Sequence, residues 1–411
     1  MKVFKVPNIY KSDLISSIKT KRKNEDRFKK DFSPTLLDLG SVQIFLARHF
    51  GFCYGVENAI EIAFNTIDEN PGKKIYLLSE MIHNPQVNAD LKKRGIVFLQ
   101  DTYGKQIIPF EEINGDDIVL IPAFGTTLEI EEKLRNKGIA VEKYNTTCPF
   151  VEKVWNRSQQ VANKGYSIII HGKPKHEETR ATFSHAASFA PSVIVNDMED
   201  AKLLAQYITK KKHKDSFESD FKNRFSPGFN VDTDLKRIGV VNQTTQLASE
   251  TQAISDFIKQ TISKYYNLSD LTVGDNFADT RDTLCYATND NQTAVSAMLE
   301  TTADLAIVIG GYNSSNTSHL VELCEKKLPA FFINSANDIL DNKLIKTCNW
   351  RTKEVSTVEN FLPQSNLLKI LITSGASCPD ILVEEVIDKL ASMFLLTETL
   401  LSIKEKWLSE I

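Results

Sequence analysis

Gly51-Phe52-Cys53-Tyr54-Gly55-Val56 follows the apolar run Ile44-Phe45-Leu46-Ala47 and leads into Val56, Ala59, Ile60, Ala63, Phe64 and Ile67 at helical spacing. It reads as a turn between a strand and a helix, with a cysteine at the junction. The arrangement recurs twice. Asn145-Thr146-Thr147-Cys148-Pro149 puts a proline where a first helical residue belongs, ahead of Val151, Val154 and Val161, and Thr283-Leu284-Cys285-Tyr286-Ala287 precedes Ala294, Val295 and Met298. Each helix is followed by a strand and a polar loop, and His83, His176 and Ser314 in those loops fall 30, 28 and 29 positions after their cysteines. A second strand and turn completes each unit: Ile118 to Ile121 before Thr126-Thr127, Ile238 to Val241 before Asn242-Gln243-Thr244-Thr245, and Ile370 to Ile372 before Ser374-Gly375-Ala376-Ser377. This is a threefold internal repeat, and strands alternating with helices call for parallel sheets with ligands at the strands' carboxyl ends. The expected fold is α/β, three pseudo-threefold-related lobes with parallel sheets around one centre. The lobes run 43–145, 146–280 and 281–395, with an N-terminal extension 1–42 and a C-terminal tail 396–411. A basic insertion near 209–235 in the middle lobe reads as a surface excursion.

Composition narrows the function. The 411 residues carry 49 Lys+Arg against 53 Asp+Glu, a net charge of -4, which supplies no global field for nucleic acid or an anionic membrane. No apolar run approaches the roughly 20 residues needed to span a bilayer. The six cysteines are too sparse for a disulfide scaffold, and none form a C-x-x-C pair. The first 31 residues hold ten Lys/Arg, but four acidic residues among them fit poorly with an organelle transit peptide. A cytoplasmic protein acting on a small molecule is expected.

The repeat gives Cys53, Cys148 and Cys285 a common setting. A helix N-terminus offers unpaired N–H groups and a partial positive charge, both of which favour the metal-binding thiolate. Cys324 and Cys348 lack that setting, whereas Cys378, beside Pro379, shares it and is a rival ligand. Three soft thiolates suit zinc or an iron-sulfur cluster. A four-iron cluster usually takes four cysteines, so three leave one iron open to a substrate oxygen. The remaining turns are rich in donors, and Ser314, Asn316, Ser377, Thr244, His83 and His176 together could hold a diphosphate at helix N-termini; ordinary helix capping is the plainer use of each. Glu178, two residues beyond His176, could be a proton donor if desolvated. A three-cysteine zinc hydrolase and a cluster-bearing sensor without turnover are rival readings of the same residues.

Taken together, Gly51-Phe52-Cys53-Tyr54-Gly55-Val56, Thr146-Thr147-Cys148-Pro149, His176-Glu177-Glu178-Thr179, Asn242-Gln243-Thr244-Thr245, Asn313-Ser314-Ser315-Asn316 and Ser374-Gly375-Ala376-Ser377 resemble the 4-hydroxy-3-methylbut-2-enyl diphosphate reductase family over about residues 43 to 395. The resemblance implies the last step of the non-mevalonate isoprenoid route, a two-electron reductive dehydroxylation yielding isopentenyl and dimethylallyl diphosphates. It implies one 4Fe-4S cluster at the centre of the lobes, held by Cys53, Cys148 and Cys285, with Cys378 at a position the family does not use. Glu178, assisted by Thr244, would deliver a proton, and His83, His176, Ser314, Ser315, Asn316 and Ser377 would hold the diphosphate. A ferredoxin or flavodoxin would supply the electrons. Pro122-Ala123-Phe124-Gly125, Lys153-Val154-Trp155-Asn156 and the extension resemble the plant and cyanobacterial branch; many bacterial members carry histidine at the position of Phe124, so one diphosphate donor is either missing here or replaced by Thr126 or Thr127.

Overall fold

Leu305–Ile309 and Ser167–His171 are short runs in which every residue is buried, as strands covered on both faces by helices must be. The computed structural model describes residues 4–278 and 283–409, which form two units. The first comprises Met1–Glu61, Ile82–Ala89 and Tyr286–Ile411. Its sheet runs in the order Thr35–Asp38, Val42–Leu46, Leu368–Ser374, Leu305–Ile309, Ala330–Ile333. Only the first pairing is antiparallel. That edge strand alternates buried and exposed residues, as a strand with one wet face should. A separate antiparallel hairpin, Leu344–Cys348 with Val355–Glu359, has no counterpart in the repeat.

The second unit comprises Ile62–Met81 and Asp90–Cys285. It holds two parallel sheets, one ordered Val97–Phe98, Ile75–Leu77, Ile118–Leu120 and the other Ser192–Val195, Ser167–His171, Ile238–Asn242, Phe277–Ala278. Three sheets with parallel cores, each flanked by helices, are the α/β architecture that the repeat calls for.

Two expectations need correction. Strand Val42–Leu46, placed at the start of the first lobe by the boundary at 43, pairs with Leu368–Ser374 in the sheet of the last lobe. Strand pairing is non-local, and nothing in the run itself names its neighbour. The insertion near 209–235 is more than a surface excursion. Phe217 and Phe221 are 3% and 0% exposed, and Phe217 packs on Tyr207, Phe225 and Phe229. An aromatic cluster of this kind contributes apolar burial to the unit's core.

The N-terminal extension is built into the first unit. Ser12 accepts the Ile15 amide at 2.9 Å and so caps helix Asp13–Glu25, whose Leu14, Ile15 and Ile18 are buried. Tyr10 meets Phe52 edge-on at 5.9 Å and Phe4 meets Tyr54 at 4.7 Å, so the extension lies against the turn that carries Cys53. Among the described residues, no helix is long and apolar enough to cross a membrane.

Candidate active site

Each of the three repeated cysteines stands immediately before a helix. Cys53 precedes Tyr54–Glu69, Cys148 caps Pro149–Ala162 and Cys285 precedes Tyr286–Met298. They are half-buried, whereas Cys324, Cys348 and Cys378 are buried in the core. Accessibility separates the three from Cys378, the rival that sequence context alone left standing.

In the first unit, the Cys53 carbonyl accepts the Glu57 amide at 2.9 Å, and the Cys53 N–H donates to the Ala376 carbonyl at 3.1 Å. The same Ala376 donates its N–H to the Asn316 side-chain oxygen at 2.9 Å. The Ser377 hydroxyl donates to the His83 carbonyl at 3.1 Å. A Cβ at Gly311 would run into that carbonyl, so only glycine lets the two turns close up. The turns bearing His83, Ser314 to Asn316, and Ser377 therefore meet. Ser314 caps helix Ser315–Glu325 by accepting the Thr317 amide at 3.2 Å, which is the ordinary capping role. Its neighbours differ: the Ser315 hydroxyl and the Asn316 amide nitrogen are buried without a hydrogen-bond partner. An unmet buried donor costs about 1–3 kcal/mol. Two of them at a helix N-terminus suit the oxygens of an anion. Ser315→Ala is expected to leave the thermal midpoint unchanged or raised while weakening a diphosphate ligand about tenfold; calorimetric melting and a ligand titration check the two halves.

In the second unit, Glu178 and Thr244 are 1% and 4% exposed. The Thr244 N–H donates to Glu178 Oε1 at 2.5 Å, and the Thr244 carbonyl accepts the Cys285 N–H at 3.3 Å. Carboxylate and cysteine are thus tied to opposite ends of one residue's backbone. Burial pushes the Cys148 thiol up to about 12; N–H groups of Phe150 and Val151 pull the other way, and the nearby Cys285 and Glu178 add to the rise. The helix-terminus effect is present but smaller than desolvation. Without metal, Cys148 is a thiol at neutral pH.

His176 caps helix Glu177–Ala187, its Nδ1 accepting the Glu178 amide at 3.2 Å. A neutral ring bonded in this way carries its proton on Nε2, which makes Nε2 a donor. The Phe124 ring stands edge-on to His176 at 5.7 Å, so this residue is an apolar wall for the imidazole. Thr127 opens helix Leu128–Asn136. Gly125, at φ 75°, leaves room for Trp155, whose ring would lie 2.6 Å from a Cβ there, and Trp155 packs beside Cys148.

The motif reading gave Gln243 no role, yet the structure makes it a hub. Its side-chain oxygen accepts from the Lys173 amide at 3.2 Å, the Thr179 hydroxyl at 3.1 Å and the Gln246 amide at 3.0 Å, and its nitrogen donates to the Thr245 hydroxyl at 2.7 Å. It ties the loop before Glu178 to the loop bearing Thr244. A glutamine between strand and helix in an otherwise hydroxyl-rich turn was the available signal. Among the described residues, no group of three His, Cys, Asp or Glu side chains is close enough to hold a single metal ion.

The family model described as LytB protein matches residues 44–391. The chain is 40% identical to a 4-hydroxy-3-methylbut-2-enyl diphosphate reductase of Picosynechococcus sp., over 86% of this chain and 85% of that protein. Among solved structures, it is similar to the E-1-hydroxy-2-methyl-but-2-enyl-4-diphosphate reductase of Plasmodium falciparum, with a TM-score of 0.61 and 25% identity over 85% of this chain and 87% of that one. It is also similar to a (E)-4-hydroxy-3-methyl-but-2-enyl diphosphate reductase described as the terminal enzyme of the non-mevalonate pathway, with a TM-score of 0.51 and 26% identity over 85% of this chain and 99% of that one.

Proposed function

The chain belongs to the LytB family, that of 4-hydroxy-3-methylbut-2-enyl diphosphate reductase, and from that premise we propose that it converts this diphosphate to isopentenyl and dimethylallyl diphosphates, in the cytoplasm, as the last step of the non-mevalonate route. The observation that carries the reading at the level of residues is the grouping of Cys148, Cys285, Glu178 and Thr244, in which a buried carboxylate and a cysteine bond to the two ends of one residue's backbone. Cys53, Cys148 and Cys285, each half-buried at a helix start, would hold one 4Fe-4S cluster per chain. The thiols fit that group, since it binds through thiolates and the other three cysteines are buried in the core. When bound, the cluster supplies low-potential electrons and a Lewis-acidic iron.

The chain's own residues do the rest. His83, Ser314, Ser315, Asn316 and Ser377 hold the diphosphate through side-chain donors, and His176 adds its Nε2–H. The unmet donors of Ser315 and Asn316 are then satisfied only in the complex, which favours bound substrate over solvent. Glu178, shielded from water, gives a proton to the departing hydroxyl so that it leaves as water, and the Thr244 hydroxyl steadies that transfer. Each of the three repeats contributes one cysteine. A ferredoxin or flavodoxin supplies the electrons.

The test is an anaerobic assay with the diphosphate substrate and a chemical reductant. The expected protein is brown, with about four irons per chain, and releases both five-carbon diphosphates. A colourless protein containing one zinc and inert to reductant would sink the reading.

A further inference from the structure

Beyond helix Asp13–Glu25 the extension turns through Arg27-Phe28-Lys29-Lys30, with Lys29 at φ 53°. Phe28 is 85% exposed; no other aromatic ring among the described residues is as open. The Lys30 ammonium lies 5.9 Å from the centre of that ring. The Lys29 ammonium bonds Asp290 at 2.6 Å and lies 5.3 Å from the centre of the Tyr286 ring. Tyr286, itself 39% exposed, is the residue that follows Cys285 in the chain.

A single exposed hydrophobic residue needs no explanation. This one stands in the stretch 22–31, where Arg22, Lys23, Arg27, Lys29 and Lys30 outnumber Glu25, Asp26 and Asp31. Arg27 and Lys30 are exposed and have no carboxylate partner among the described residues, while Asp31 is held by Arg22 at 2.9 Å and Asp290 by Lys29. The chain's net charge is -4, so this positive field is local rather than general. An aromatic ring with arginine beside it, inside a polar rim, is the composition of an interface centre. A cationic rim selects an acidic partner and steers its approach. Electron transfer falls steeply with distance, so a protein donor must dock near a ligand of the group it reduces, and Tyr286 is joined directly to Cys285.

Resting on the reductase reading above, we propose that Arg27, Phe28 and Lys30, together with Tyr286, form the docking surface for an acidic one-electron carrier protein of the iron-sulfur class. In each turnover two reduced carriers give up one electron apiece. The allylic alcohol takes up those two electrons and two protons: its C–O bond breaks, a C–H bond forms, water leaves and both carriers depart oxidised.

The experiment uses the anaerobically purified holoenzyme with two reductants, an acidic plant-type ferredoxin and reduced methyl viologen. For the Arg27→Glu/Lys30→Glu double variant and for Phe28→Ser, the KM for ferredoxin is expected to rise about tenfold or more, while viologen-driven turnover stays within twofold. The steep loss of ferredoxin-driven rate with added salt, expected of charge steering, disappears in the double variant. Calorimetric titration of oxidised ferredoxin at low salt reads the contact without turnover: the parent binds and the double variant does not. An unchanged ferredoxin KM, or equal losses with both reductants, overturns the proposal. So does a Phe28→Ser variant that only converts a dimer to a monomer in sedimentation, since the patch would then contact a second copy. Viologen-driven turnover by the parent separately checks the reductase reading, so failure of one is not mistaken for failure of the other.

Discussion

Glu178→Gln is expected to lower turnover by about 10²–10⁴-fold, the range of a general acid, with cluster content unchanged. The substitution keeps the shape and still offers an oxygen to the Thr244 N–H, now 2.5 Å from Glu178 Oε1. What it removes is the transferable proton. Since the residue is 1% exposed, water does not readily stand in for it. In the proposed mechanism the carboxyl acts on the breaking C–O bond and other residues hold the diphosphate, so the loss should fall on kcat more than on KM. Turnover measured at matched iron content decides the matter: activity within twofold of the parent removes Glu178 from the mechanism.

Replacing any one of Cys53, Cys148 or Cys285 by alanine is expected to abolish reduction together with the brown colour, whereas Cys324→Ala and Cys378→Ala keep both. The two core cysteines are 0% exposed, and burial raises both thiols, Cys324 to about 12. They are packing groups, and their truncation costs about 1 kcal/mol or somewhat more through the void left behind. At Cys148 burial also favours the thiol, so iron binding there must displace a proton. Loading at that position therefore strengthens as pH rises and weakens as it falls. Iron analysis and visible spectra of the five variants separate ligands from bystanders: a Cys378→Ala protein without iron, or a Cys53→Ala protein with four, would reverse the assignment.

Much of this was legible in the sequence because it is local. Ile118 to Leu120, Ile238 to Val241 and Ile370 to Ile372 read as strands and lie in strands, and Pro149 fixed the start of the helix behind Cys148. A nearly constant spacing from cysteine to polar turn revealed the repeat without any structure. What stayed hidden depends on partners distant in the chain. The pairing of Val42–Leu46 with Leu368–Ser374 joins segments more than 300 residues apart. The burial of Phe217 and Phe221 inside a lysine-rich insertion ran against its composition. Gln243 looked like one more polar loop residue, since two of the four hydrogen bonds of its side chain reach Lys173 and Thr179, 70 and 64 residues away in the chain. Desolvation at Cys148 was equally invisible, being a property of the walls around the helix start.

The backbone of Thr244 holds the Glu178 carboxylate on one side and the Cys285 amide on the other. Neither bond uses its side chain. Acid and cysteine are therefore kept in register by a peptide linkage that every residue except proline, which lacks the N–H, can supply. Serine, alanine or valine at this position keeps both backbone bonds, so exchanges among these residues of similar or smaller size vary the hydroxyl against a frame that stays constant.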